Sequence, residues 1–407
     1  MRWKCTPLLF LCVFVFVANY YEMYDLLGIG IQQNTGTVDK TKILLPTPPD
    51  LEQLDCPRFA YMDFTRNGLG HRLSELVFGL QLATKANATY ILDTKAWTLN
   101  GGHGNYSWLL DLLPLHNHYI TMEYFDLWKR VKQGLNMSRP MNTITGQWKH
   151  ILINSKIMDC NVIFRAKLKK CCERTLNPRN DCYCTGISSH TGAFEEQKEL
   201  LRSIWKESTY RPPHELLYYS NKNPQGNNSQ DTNDNRMVSI VWHVRLGDIV
   251  LRNDKEYFGT IASQIAKSFR ESNSSTPLLP SVVVMGEGGK DAILQHFDFW
   301  PELCYQYFND RCVYPDLDVQ ETFYHMVQSA DILVTSGSSF PATAAMLRSN
   351  GITLATMPME GLTGIFGVSE NIDIDVDGRI PEIGKLTAYI ESLSSEEQKV
   401  STIGNGL

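Results

Sequence analysis

The chain has 407 residues, 43% of them hydrophobic, and a net charge of −6 at pH 7. That is enough apolar material for two domain-sized cores. The acidic balance excludes a nucleic-acid partner held by bulk positive charge, while a small anionic ligand held by a few placed cations stays open.

The first element in chain order is a membrane segment. Arg2 and Lys4 precede an apolar run from Cys5 to Ala18, and Glu22 and Asp25 follow it. This asymmetry predicts a cytoplasmic tail over 1–4, a signal anchor over 5–21 and a luminal remainder. A cleaved signal peptide is the alternative for so short a run. Phe16, three residues from the end of an Ala18 cut, opposes cleavage, and Tyr20 and Tyr21 suit a membrane interface. The sequons at Asn87, Asn105, Asn136, Asn227 and Asn273 fit a luminal chain. Outside the anchor stand Cys56, Cys160, Cys171, Cys172, Cys182, Cys184, Cys304 and Cys312, an even set that an oxidising compartment favours. The expected location is a Golgi or ER membrane, crossed once.

Within residues 22–55, the stretch 32–55 is polar and rich in Thr and Pro ("LLPTPPD"), which predicts a stem over 22–55. The folded part follows as two halves, 56–220 and 237–407. The Asn-rich stretch 221–236 divides them as a linker or long loop. In the first half a strand over 58–64 runs into "RNGLGHR". Leu73, Leu76, Val77, Leu80 and Ala83 then recur at helical spacing, and 89–92 is a second strand: a βαβ unit. A further amphipathic helix covers 194–205.

The second half alternates more clearly. Strands are expected over 238–244, 281–285, 332–335 and 353–355, and helices over 257–269, 291–297, 320–329 and 340–347. Strands this apolar, separated by helices, imply a parallel sheet covered on both faces. The expected fold is therefore α/β, with two Rossmann-like domains facing a cleft. Ligands of such sheets sit beyond the carboxyl ends of the strands.

Three loops lie at such ends. "HVRLGD" places Arg245 where its planar fork can meet a phosphate, with His243 on the same side of the strand. Gly247 allows the turn and Asp248 can hold the arginine. A ligand-free Arg–Asp pair is the plain alternative. "TSGSSFPATAAM" brings hydroxyls and a glycine to a helix start, where Ser338 and Ser339 either receive phosphate oxygens or simply cap the helix. "RNGLGHR" offers Gly68 and Gly70 for close backbone approach and Arg72 in the first helical turn. It lacks the third glycine of a dinucleotide loop, and "GEGGKD" (286–291) lacks the first glycine and the hydroxyl of a P-loop.

Together these segments resemble the inverting fucosyltransferase superfamily, which covers α1,2-, α1,6- and protein O-fucosyltransferases. His243-x-Arg245-x-Gly247-Asp248 is similar to its signature. "ADILVTSGSSF" is similar to its later motif, with Ser338, Ser339 and Phe340 in the Ser-Ser-Phe positions. "NGLGHRLSELVFGLQLA", beginning at Asn67, resembles its glycine-loop helix. The resemblance implies a GT-B fold, a GDP-fucose donor, a glycan or glycoprotein acceptor, no required metal, and contact of Arg245 with the donor β-phosphate. It names Arg245, His243 and Asp248 as catalytic candidates. Asn67, Gly68, Gly70, Arg72, Glu321, Ser338, Ser339 and Phe340 are its donor-binding candidates, Glu321 as the acidic residue on the preceding helix. Where many relatives carry a second arginine, this chain has Leu246.

Breaking a sugar–phosphate bond leaves negative charge on the nucleotide, and Arg245, Arg72 and helix N-termini can hold that charge without a metal. Glu75, Asp63 and His71 are candidates for the general base. Asp373-Ile-Asp375-Val-Asp377 has the spacing of a metal-holding acidic motif but lies in a polar C-terminal stretch, which reads as solvated. The cysteines of 171–184 read as disulfides rather than zinc ligands, Cys304 and Cys312 as a local bridge, and the basic run 165–170 as a solvated face. A Golgi sulfotransferase and a non-catalytic carbohydrate-binding membrane protein are the alternative functions.

Overall fold

The computed structural model of the chain describes residues 50–51, 58–62, 69–85, 87–98, 106–131, 142–145, 162–167, 191–213, 236–246, 254–272, 277–286, 288–336, 339–356 and 371–404. The anchor over 5–21, the stem apart from Asp50 and Leu51, the cysteines of 171–184 and the linker up to 235 lie outside these residues. Among the described residues no helix is long and apolar enough to cross a membrane. Leu44–Leu407 groups as one compact unit.

The first half contains β1 (Arg58–Met62), α1 (Leu69–Lys85), β2 (Thr89–Leu92), α2 (Lys95–Thr98), α3 (Leu109–Leu112), β3 (Ile120–Thr121), α4 (Met122–Val131), β4 (Asn142–Thr145), β5 (Val162–Lys167) and α5 (Thr191–Lys206). Its strands pair in parallel in the order β3-β2-β1-β5-β4. The apolar stripe of α1 makes it a helix with a purpose: Leu73, Leu76, Val77, Leu80 and Ala83 are all buried.

The second half follows with β6 (Arg236–Val244), α6 (Lys255–Glu271), β7 (Leu278–Gly286), α7 (Gly289–His296), α8 (Trp300–Phe308), β8 (Cys312–Val313), α9 (Val319–Gln328), β9 (Ile332–Val334), α10 (Ser339–Leu347), β10 (Ile352–Thr356), β11 (Asn371–Ile374) and α11 (Ile383–Gly404). Local chemistry sets several of these boundaries. Asp254 caps α6 by accepting from the Tyr257 N–H at 2.8 Å. Asp318 and Glu321 form a reciprocal capping box on α9. The sheet is again parallel, in the order β11-β10-β9-β6-β7-β8. The chain builds outward from β6 through β7 to β8, then returns to the other side of β6 to add β9, β10 and β11. This is the doubly wound Rossmann order, and its switch point lies between β6 and β9.

Five residues of β6 are divided between two cores. Val238, Ile240, Trp242 and Val244 pack with α6, α8 and α11 on one face. Val241, with Val283, Met285 and Leu333, packs on the other face, in a core that also holds the α1 stripe, Phe323 and Met326 of α9, and Ala344 to Leu347 of α10. The α1 and α5 helices of the first half therefore share one apolar core with α9 and α10 of the second. Arg202 on α5 seals this junction by donating to the Met346 carbonyl at 2.9 Å.

The structure bears on three further sequence expectations. Of the basic run, Arg165, Ala166 and Lys167 end a strand held between β1 and β4, and residues 168–170 lie outside the described residues. Asp373 lies in edge strand β11, whose Ile372 and Ile374 are buried while Asp373 is exposed. Asp375, in the turn that follows, accepts the backbone N–H groups of Asp377 and Arg379 at 2.9 and 2.8 Å. The predicted Cys304–Cys312 bridge is present, tying α8 to β8.

Arg348, just past α10, is 3% exposed and donates to the carbonyls of Met326 at 2.8 Å and Ala330 at 2.7 Å. It fastens the end of α9 and the start of β9 to α10. Replacing it with Met leaves buried carbonyls without their charged donor, so Arg348→Met is expected to cost about 3 kcal/mol in denaturant unfolding.

Candidate functional site

Period-two alternation decides what β6 presents at its carboxyl end. His243 and Arg245 follow Val241 onto the face shared with the first half, while Leu246, 9% exposed, packs into the opposite core with Trp242 and Val244. Leu246 is therefore an inward-facing core position.

The β6–β9 register aligns Ile240 with Ile332, Val241 with Leu333 and Trp242 with Val334. Continuing it brings Ser336 beside the end of β6. A hydrogen bond at 2.8 Å joins His243 Nδ1 and Ser336 Oγ. Phe340, in the first turn of α10, lies 5.7 Å from the His243 ring. The HxR strand end and the Ser-Ser-Phe loop thus meet at the switch point between β6 and β9.

On the other side of β6, β7 runs in register to its last residue, pairing Val244 with Gly286. A β-carbon at Gly286 would stand 2.6 Å from the Val244 carbonyl oxygen, so only glycine allows this approach. The "GEGGKD" turn is no P-loop, yet it opens at the same sheet edge as Arg245.

Burial, followed by the positive charge of Arg245, pushes the His243 imidazole down to about 3. His243 is consequently neutral across the physiological range and adds no cation to the site. Arg245, partly buried, supplies the fixed positive charge at this strand end.

The remaining candidates are distributed as follows. Arg72 is 1% exposed in the first turn of α1; it donates to the Ala96 carbonyl and lies 5.1 Å over the Tyr106 ring. Burial lowers its pKa, against the pull of Tyr106 and Glu75. Glu75 is buried on the same helix. Glu321, 3% exposed, sits in the first turn of α9, where its carboxylate accepts from the Asp318 N–H at 3.2 Å. Because α9 runs back to the start of β9, its first turn lies toward the carboxyl edge of the sheet. Asn67, Gly68, Gly247, Asp248, Ser338 and Asp63 lie outside the described residues, while Gly70, His71 and Ser339 are placed only as helical backbone.

Two features escaped the sequence reading. Ser336 stands inside "TSGSSF", but nothing in its spacing distinguishes it from the hydroxyls that follow. The second is a run of rings across the two halves: Tyr106 to Trp108 at 6.4 Å, Trp108 to Phe323 at 5.7 Å, Phe323 to Phe340 at 5.4 Å, then His243. It connects Arg72 of the glycine-loop helix to the HxR strand end.

Comparison with known proteins adds little to this geometry. No family model matches the chain, and no curated protein matches it. Among solved structures, a mutant of Arabidopsis thaliana FUT1 in complex with GDP is similar at a TM-score of 0.39 and 12% identity, over 76% of this chain and 73% of that one. The E. coli trehalose-6-phosphate structure bound with UDP-2-fluoro glucose gives 0.28 and 8%, over 82% and 90%. The lipopolysaccharide outer core galactosyltransferase WaaB in its apo form gives 0.30 and 10%, over 84% and 91%. At such TM-scores the likeness decides neither family nor activity, and the site has to be read from its own residues.

The neutral, buried His243 yields a prediction about acid stability. Its folded pKa lies below the unfolded value, so its contribution is fully present above about pH 6.5 and is lost as pH falls toward 3. In that window this one group should reduce unfolding free energy by up to about 1.4 kcal/mol per pH unit. Chemical denaturation at stepped pH should show the slope in the unsubstituted chain and a smaller one in His243→Asn.

Proposed function

We propose that the chain is a glycosyltransferase of GT-B type that transfers fucose from GDP-fucose to a glycan or glycoprotein, with inversion and without a metal. The observation that carries this reading is the meeting of His243, Arg245, Ser336 and Phe340 at the switch point of a doubly wound sheet. Such a crevice is where α/β sheets bind nucleotides. An arginine beside a loop of hydroxyls and a helix start has the chemistry to receive a diphosphate. The choice of GDP-fucose rests on the motif resemblance of "HVRLGD", "TSGSSF" and "NGLGHR".

In the reaction, the bond between the sugar C1 and the β-phosphate oxygen breaks as the acceptor hydroxyl attacks C1 from the opposite face. The electron pair of the broken bond leaves with GDP, and the acceptor proton passes to a base. Arg245 stabilises the charge that grows on the β-phosphate, in surroundings where fixed donors act more strongly than in water. Arg72 is committed to Ala96 and Tyr106, and its part is to hold the glycine-loop helix in place at the end of β1. The apolar N-terminal run, the sequons and the Cys304–Cys312 bridge support a type II protein of the Golgi or ER membrane with this site in the lumen.

The test is donor turnover by the full chain, made in a glycosylating host and solubilised in mild detergent. GDP-fucose, other GDP-sugars and UDP-sugars are offered with and without EDTA. The expected result is turnover of GDP-fucose alone, insensitive to chelator, with Arg245→Ala slower by about 10²–10³-fold. Turnover of a UDP-sugar abolished by EDTA would overturn the proposal.

A further inference from the structure

Within this reading of the site, the pairing of His243 with Ser336 carries a role for a residue that the motifs do not include. The two side chains come from neighbouring strand ends on either side of the switch point, and their hydrogen bond spans it. The direction of that bond matters. With the proton on Nδ1, the imidazole donates and Ser336 Oγ accepts. Among the described residues His243 is the one hydrogen-bond partner of Ser336, so the serine proton is available to a ligand.

We infer that Ser336 is a further catalytic residue, whose hydroxyl donates a hydrogen bond to the departing diphosphate of the nucleotide sugar, and that His243 is a positioning residue that holds this hydroxyl in the donating orientation. Three observations support the assignment. Ser336 is only partly buried, immediately beyond the buried Thr335. It stands beside the strand end that carries Arg245, the cation expected to meet the same phosphate. The His243 ring is itself fixed between β6 and Phe340, so the direction it imposes on the hydroxyl is rigid. A neutral imidazole suits this task better than a charged one, since it directs the serine without competing with Arg245 for the anion.

The experiment measures steady-state kinetics with the best nucleotide sugar of a GDP and UDP panel, using the full chain. Thermal shift by GDP and UDP is run in parallel. Ser336→Ala is expected to lower kcat by about 10–10²-fold with a smaller change in KM, because the β-phosphate carries more charge in the transition state than in the bound donor. Ser336→Thr, which keeps the hydroxyl, should recover most of the loss. His243→Asn can still donate from a similar position and should stay within about tenfold of the unsubstituted chain, whereas His243→Phe should match Ser336→Ala. The double substitution Ser336→Ala with His243→Phe should be no slower than either single one, as for residues acting as a unit.

Ser336→Ala within twofold of the unsubstituted chain would overturn the inference while leaving the glycosyltransferase reading intact. Fully additive losses in the double variant would separate the two residues and overturn the positioning role. An unsubstituted chain that neither turns over nor is stabilised by any nucleotide of the panel would overturn the reading on which the inference rests. Ser336→Ala and Ser336→Thr are small changes at a partly buried position, so their kinetics remain readable if His243→Phe fails to fold.

Discussion

A strand buried on both faces can release a charge only where it ends. β6 is such a strand, flanked by β7 and β9 and covered by two separate cores, and it carries the one candidate arginine of the second half that follows a strand. Moving Arg245 back along β6 by a single pair of residues would place a guanidinium in the core shared with α9 and α10. There it would cost several kcal/mol without a partner. The position of the arginine is set by burial as much as by chemistry, and the alternation that brings Arg245 toward the first half sends Leu246 away from it.

The same constraint explains how much of the fold was legible. In the second half, the apolar stretches around 238–244, 281–285 and 332–335 gave the sheet, because a doubly covered parallel strand has to be continuously apolar. The observed β6, β7 and β9 differ from those stretches by a few terminal residues. The stripe of α1 was legible because five apolar residues at helical spacing have no other economical arrangement. What stayed hidden was β4 and β5. "NTIT" is polar, and "VIFRAK" ends in two cations, so neither has the apolar signature of a strand held between neighbours. α8 and α11 were missed for a different reason: their buried residues, such as Leu303 and Leu386, sit among enough polar positions that the pattern is clear only once the sheet they cover is known.

The site was legible in part. Arg245, His243 and Phe340 could be placed from the sequence because each directly borders an apolar strand or helix. Their mutual distances could not, since β6 and β9 are adjacent only through a crossover that the sequence does not dictate. Ser336 became distinguishable from its neighbouring hydroxyls through the register of that pairing. Arg72 shows the opposite case. Its position in the first turn of a glycine-loop helix was legible, whereas its contacts with the Ala96 carbonyl and the Tyr106 ring, far along the chain, were not.

The two outer strands of the second sheet bear on a different property, the behaviour of this protein at high concentration. Exposed sheet edges invite other chains to add a strand. At one edge, β8 is two residues long and is fastened to α8 by the Cys304–Cys312 bridge; at the other, β11 turns Asp373 outward. Both edges are blunted, one by covalent restraint and one by charge. Reduction of the bridge would thus loosen a guard against self-association at a point remote from the chemistry at the end of β6.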